Sequence, residues 1–383
     1  MLHKKIVKTW LFIVVLGLLG AFIASIIVDP LDILGTPIIR GVNNYKDRQD
    51  SYLDVFKPYH IVKYKPEIIF IGSSRVYYAW EPILEGYDKE KVYNMGFSSL
   101  PLNNMEKYLD FVYSINEPKK IFIGLDFFQF GKENFNDAKR NFSEERLKKL
   151  SGGDVENVLL ESLKENFQVS HLLRKTVKES FKNRNELEVF ERGWYASRGN
   201  CKDLNEKAYY GSMDSYFNTY RDWEYEEKSV EFLERIVEKA REKGIEVFVF
   251  FNPISVDLSS LIYVFGLQDD LSNIKRKVVN IVGEVYDFNY INAYTANRHK
   301  LYYDPSHSNK IFGDIVKNDI ITGNDTERLT ILNSTNVEYK LRKEYEMNHA
   351  WWDANEEYIE YLRNRIKDKR KLQQGELKEF IGF

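Results

Sequence analysis

The chain has 383 residues, enough for one or two domains. Its 55 basic and 58 acidic residues leave a formal charge of -3, so no overall positive field points to a nucleic acid partner. The single cysteine, Cys201, excludes an internal disulfide, and the six histidines lack the paired spacing of metal ligands, so neither a metal nor another cofactor is expected.

Residues 9–28 carry no charge over 20 positions, which at helical rise spans the hydrocarbon of a bilayer. Lys4, Lys5 and Lys8 precede this run, and Asp29 and Pro30 follow it. The positive-inside rule then keeps residues 1–8 in the cytoplasm and puts the chain after the anchor outside it. A cleaved signal peptide is the competing reading. The length of the run and the lack of a small-x-small site before Asp29 favour a single-pass anchor. Residues 29–66 show little periodicity and read as a juxtamembrane stalk.

From residue 67 onward, strand-like and helix-like runs alternate. The strand-like ones are EIIFIG, KVYNMG, KKIFIGLDFF, GIEVFVFFNP and EVYDFN. The best helical stretch is Glu226 to Lys243, where Val230, Leu233, Val237 and Ala240 share a face and Gly244 ends the run. This alternation predicts an α/β fold on a parallel sheet of five strands over residues 67–316. Residues 131–224 interrupt it as a long polar, partly helical insertion. Its helix near Asp154 to Lys175 offers Val155, Leu159, Leu163 and Leu172 for packing, which predicts an ordered lid. Residues 317–383 read as a helical extension with a charged helix near Glu356 to Leu372.

The run Ile68-Ile69-Phe70-Ile71 ends in Gly72-Ser73-Ser74-Arg75. Parallel sheets keep ligand sites at the carboxyl ends of strands, so two hydroxyls there serve either as caps of the next segment or as chemistry. Far along the chain, YYDPSHSN sets Asp304 three residues before His307. A serine needs a neutral base to act as a nucleophile, imidazole is that base, and a carboxylate on its second nitrogen fixes the tautomer. The plain alternative is an Asx turn at Asp304-Pro305 beside a surface histidine.

With these blocks in order, the chain resembles the SGNH or GDSL-type hydrolase superfamily. That family has Gly-x-Ser after its first strand, glycine after the second, Gly-x-Asn after the third and Asp-x-x-His near the end. Gly72-Ser73-Ser74, Asn94-Met95-Gly96 and Asp304-Pro305-Ser306-His307 correspond to three of these. The resemblance implies a three-layer, flavodoxin-like fold with Ser74 as nucleophile, His307 as base, Asp304 as its orienting carboxylate, and the Ser74 and Gly96 amides as an oxyanion hole. Gly124-Leu125-Asp126 departs from the pattern by placing Asp126 where an oxyanion-hole asparagine is expected; a carboxylate there would repel a developing oxyanion unless protonated or turned away.

The Gly-Ser-Ser-Arg start, the Gly-Leu-Asp block and the anchor are most similar to a membrane-tethered branch, that of alginate O-acetylation and teichoic acid D-alanylation proteins. This implies an extracytoplasmic O-acyltransferase, O-acetyl by preference, that works beside an MBOAT-type membrane acyltransferase and moves an acyl group through Ser74 onto a polysaccharide. Two other functions stay open, a carbohydrate esterase and a non-catalytic glycan-binding or scaffold subunit, the last suggested by Asp126. Arg75, Tyr78 and Trp80 follow the nucleophile and are candidate substrate contacts. For most such aromatics the plain alternative is core packing.

Overall fold

A run of four large apolar side chains cannot face water on either side, and Ile68–Gly72 accordingly forms β1 with all five residues buried. It pairs in parallel with β2 (Val92–Gly96) on one side and with β3 (Lys120–Leu125) on the other. Parallel pairing continues through β4 (Glu246–Phe251) to β5 (Glu284–Asp287). A last strand, β6 (Thr330–Asn333), joins β5 antiparallel. The protein is therefore α/β, with a mixed, mostly parallel six-stranded sheet in the order 2-1-3-4-5-6.

The sixth strand corrects the expected count of five. Of its four residues only Leu332 is buried, so no apolar run marks it, and it lies where the alternating pattern fades. Order reverses around β1, which opens a crevice at the carboxyl ends of β1 and β3, the place where open α/β sheets hold ligands.

The computed structural model describes residues 2–46, 49–135, 142–201, 204–367, 377 and 380. They divide into two compact units. One comprises Met1–Lys65 with Arg140–Phe190, and the other Pro66–Lys139 with Glu191–Phe383, which contains the sheet. Residues 131–224 are thus shared between the two.

In the sheet unit, Ile68 and Phe70 enter a core with Trp80, Phe122, Phe250, Phe312 and Val316. The helices Ser74–Ala79 and Lys310–Thr322 pack on each other on this side. The helices Leu102–Ile115, Lys228–Glu242 and Gln268–Val282 form a second group. Gly96 is required by packing: a Cβ there would lie 2.6 Å from the Tyr77 backbone nitrogen, so only glycine lets the helix Ser74–Ala79 close on β2.

In the other unit, Leu2–Val28 is one continuous helix, long and apolar enough to cross a bilayer. Asp29 turns the chain out of it at φ +39°. Its carboxylate accepts from the N–H groups of Ile33 and Thr36 at 3.0 and 3.3 Å, and burial pushes its pKa up.

The helix expected from Asp154 to Lys175 is two, Val155–Gln168 and Leu173–Lys182, divided by a turn at Ser170–Leu172. Of the residues expected to pack, Leu172 is buried, but Val155 and Leu159 are exposed. The tail helix runs over Glu356–Lys367, and the remainder of the stretch read as helical to Leu372 lies outside the described residues.

Candidate functional site

The two serines after β1 divide the roles that the sequence left open. Ser73 is the cap: fully buried, it accepts through Oγ from the Arg75 N–H at 3.1 Å and starts the helix Ser74–Ala79. Ser74 is only partly buried and aims its Oγ elsewhere, 2.7 Å from His307 Nε2. Opposite, His307 Nδ1 lies 2.7 Å from Asp304 Oδ2.

Asp304 also accepts through Oδ1 from the backbone N–H groups of Ser306 at 2.8 Å and His307 at 3.0 Å. The Asx turn of the plain reading is therefore real, and it is what aims the imidazole. Burial on its own raises the Asp304 pKa, but His307 and these two N–H groups outweigh it and hold the carboxyl below its ordinary value. An ionised carboxylate only accepts, so Nδ1 carries the imidazole proton and Nε2 is left to accept from the Ser74 hydroxyl. The rings of Tyr78 and His307 meet edge to face at a centroid distance of 4.7 Å.

These groups open on a cleft of about 330 Å³. One wall is the helix Glu206–Arg221, which presents Ala208, Ser212, Ser215, Tyr216 and Thr219 on one face. Ser98 and Ser99, after β2, form the rim. Ser99 sits at φ +46°, a left-handed conformation that costs a non-glycine residue on the order of 1–3 kcal/mol and is found mostly where function demands it. Sequence reading missed this wall because its residues lie in the insertion. The signal that would have found it is the recurrence of small and hydroxyl side chains at positions 208, 212, 215, 216 and 219 of a helix otherwise rich in aromatic and charged residues.

Arg75, expected to touch substrate, is buried instead. Its guanidinium pairs with Asp126, also fully buried, and donates to the Ser306 carbonyl at 3.0 Å and the Tyr216 hydroxyl at 3.2 Å. Tyr216 Oη and Ser306 Oγ are 2.8 Å apart. Asn252 Nδ2 donates to Asp126 at 3.2 Å. Burial pulls the Arg75 pKa down, but Asp126 outweighs it and the guanidinium stays charged. Asp126 is thus the counter-ion of a clamp rather than a bare repelling charge. One end of the clamp is the residue after Ser74 and the other is the residue before His307.

Two more expectations need correction. The Gly96 N–H donates to Asn94 Oδ1 at 2.9 Å and is committed there. Trp80 is buried, stacked on Phe250 at a centroid distance of 4.5 Å, and belongs to the core. Tyr78 alone of the three candidate contacts lines the cleft. Among the described residues, no three His, Cys, Asp or Glu side chains gather in a way that would hold a metal.

No protein-family model matches the chain, and no curated protein is significantly similar to it.

Proposed function

We propose that the protein is an SGNH-like serine O-acyltransferase, acting outside the cytoplasm to acylate a polysaccharide, with acetyl as the preferred group. The observation that carries this reading is the hydrogen-bonded series Ser74–His307–Asp304 at the carboxyl edge of β1, opening on a cleft walled by hydroxyls. The parallel strand order 2-1-3-4-5 within the sheet accords with a flavodoxin-like plan of this superfamily.

In the reaction, His307 Nε2 takes the Ser74 proton as Oγ attacks the acyl carbonyl, and returns it to the departing group as the acyl-serine forms. A sugar hydroxyl then gives its proton to the same nitrogen, attacks the acyl-serine and leaves as the ester, and Ser74 recovers its proton. The Ser74 N–H, which as the first residue of its helix has no intrahelical acceptor, serves the oxyanion. The Ser98–Ser99 rim supplies the second side of the hole in place of Gly96.

Hydroxyl and aromatic lining suits a carbohydrate acceptor, whose hydroxyls exchange hydrogen bonds with the wall while its apolar faces rest on Tyr77, Tyr78 and Phe128. The acyl donor is an MBOAT-type membrane acyltransferase, and the Leu2–Val28 helix holds the protein beside it with its amino terminus in the cytoplasm. The scaffold reading loses its main support once Asp126 is accounted for by Arg75. The deciding experiment is to label the full chain with a fluorophosphonate, locate the adduct by mass spectrometry, and compare discharge of acyl-Ser74 onto a glycan oligomer and onto water. An adduct on Ser74 with faster discharge to the oligomer is expected. Faster discharge to water makes the protein an esterase, and the absence of any adduct on Ser74 overturns the catalytic assignment.

A further inference from the structure

The unit that carries the N-terminal helix exposes apolar side chains that a water-facing surface does not need. On Val155–Gln168, Val155 is 79 % exposed, and Leu159, Leu160 and Phe167 are also exposed. On Leu173–Lys182, Phe181 is 71 % exposed, one turn from exposed Val177. Arg174, Lys178 and Lys182 run beside this apolar pair at one-turn spacing and face solvent. A helix with Phe and Val on one strip and a basic strip next to it is built for the boundary between acyl chains and anionic headgroups.

The position of the Leu2–Val28 helix says what covers this surface. It packs on both of these helices. Phe22 meets Phe167 at a centroid distance of 6.2 Å, and Asn166 Nδ2 donates to the Ser25 carbonyl at 2.7 Å. Phe22 lies six residues before the helix ends at Val28, about 9 Å at helical rise. If the charge-free run 9–28 fills the bilayer's hydrocarbon, a side chain resting on Phe22 sits at acyl-chain depth rather than in water. Buried Ser25 and Val28 also show the helix built into this unit, which suits a retained anchor and not a leader to be removed.

We propose that Val155–Gln168 and Leu173–Lys182 lie in the interface of the bilayer that the N-terminal helix crosses, with Leu159, Phe167 and Phe181 among the acyl chains and the Arg174, Lys178 and Lys182 strip on anionic lipid headgroups. This rests on the anchor reading of residues 9–28 and is independent of the chemistry at Ser74. This unit is then held by a helix and a two-helix foot, which restricts its own tilt on the membrane.

The test uses the full chain with Cys201→Ser, reconstituted into vesicles of zwitterionic and anionic phospholipid. Nitroxides are placed singly at Leu159→Cys, Phe181→Cys and, as a water-facing reference, Tyr339→Cys. Collision with oxygen and with a water-soluble nickel chelate is read by electron paramagnetic resonance. The expected result is acyl-depth oxygen access at 159 and 181, chelate access at 339, and a shift of the 181 label toward water when the anionic lipid is omitted or when Arg174, Lys178 and Lys182 are all changed to Ser. Labels at 159 and 181 as open to the chelate as 339, in protein that floats with the vesicles, overturn the foot but leave the anchor. Protein that does not float overturns both. Protection that appears only when a membrane protein partner is added also overturns the lipid assignment and makes the surface a protein interface.

Discussion

Arg75 and Asp126 are each other's counter-ion at the carboxyl edge of the sheet, with both side chains shut away from water. Removing one charge strands the other in a place that cannot solvate it, which typically costs about 3–5 kcal/mol. Asp126→Asn is therefore expected to lower unfolding stability by that order in urea titration, and to slow any Ser74 chemistry as the Ser306–His307 turn loosens. Faster ester hydrolysis would follow only if the side chain faced the oxyanion, and its pairing with Arg75 argues against that. A near-neutral Asp126→Asn would show that Arg75 finds another partner.

Changes at the hydrogen-bonded series separate chemistry from folding. Ser74→Ala and His307→Ala should abolish fluorophosphonate labelling at Ser74 and acylation of the polymer in cells. Asp304→Asn should cut the rate by on the order of 10⁴, the loss found when an orienting carboxylate fixes the wrong tautomer elsewhere. It also bears on acid stability. Because the folded Asp304 pKa lies below its ordinary value, its contribution is full above about pH 4 and is lost as pH falls through the folded value. The Asn variant should lose less stability than wild type between pH 5 and pH 2, as followed by circular dichroism.

A second buried charge group gives a pH dependence of opposite sign. Lys275 meets both Asp287 and Glu344, with Glu344 Oε2 at 2.8 Å. Two carboxylates exceed one ammonium in a site closed to water, and burial, followed by the Asp287 charge, pushes the Glu344 pKa up to about 8. The folded state then binds a proton that the unfolded state releases near its ordinary carboxylate value. Stability should fall as pH rises from about 5 to 8. Glu344→Gln, which copies the protonated acid, should flatten that slope in thermal unfolding measured across the range; an unchanged slope would refute the assignment.

Gly96→Ala tests why the residue is there. An added Cβ would press on the Tyr77 backbone at 2.6 Å, and neither strand nor helix can yield without disturbing Ser74. Overpacking of this kind typically costs about 1–3 kcal/mol. The expected outcome is a lowered melting temperature with activity and stability lost together. Wild-type stability with lost turnover would instead make the Gly96 amide an oxyanion donor.

Much of the sheet and the hydrogen-bonded series Ser74–His307–Asp304 could be read from the chain because each rests on local chemistry. Buried parallel strands must be apolar throughout, so β1 to β5 appear as runs such as Ile68-Ile69-Phe70-Ile71, and hydroxyl, imidazole and carboxylate stand out at their ends. An edge strand buried at one residue sends no such signal, and Thr330–Asn333 went unseen. The partner of Arg75 was equally hidden, since Asp126 lies 51 positions away and a lone arginine after a serine at a strand end looks like a substrate contact. Trp80 shows the converse, because an aromatic near a site carries the same letter whether it faces a ligand or, as here, Phe250.

The helix Glu206–Arg221 that walls the cleft belongs to the insertion, and the hydrogen-bonded series Ser74–His307–Asp304 lies outside it. Tyr216 ties this helix to Arg75 and Ser306, whereas Ser212, Ser215 and Thr219 only line the cleft. Changes at Ser212, Ser215 or Thr219 can widen, narrow or re-polarise the cleft while Ser74, His307 and Asp304 keep their geometry. If the proposed acyl transfer holds, revising one face of one helix would fit the cleft to a different acceptor.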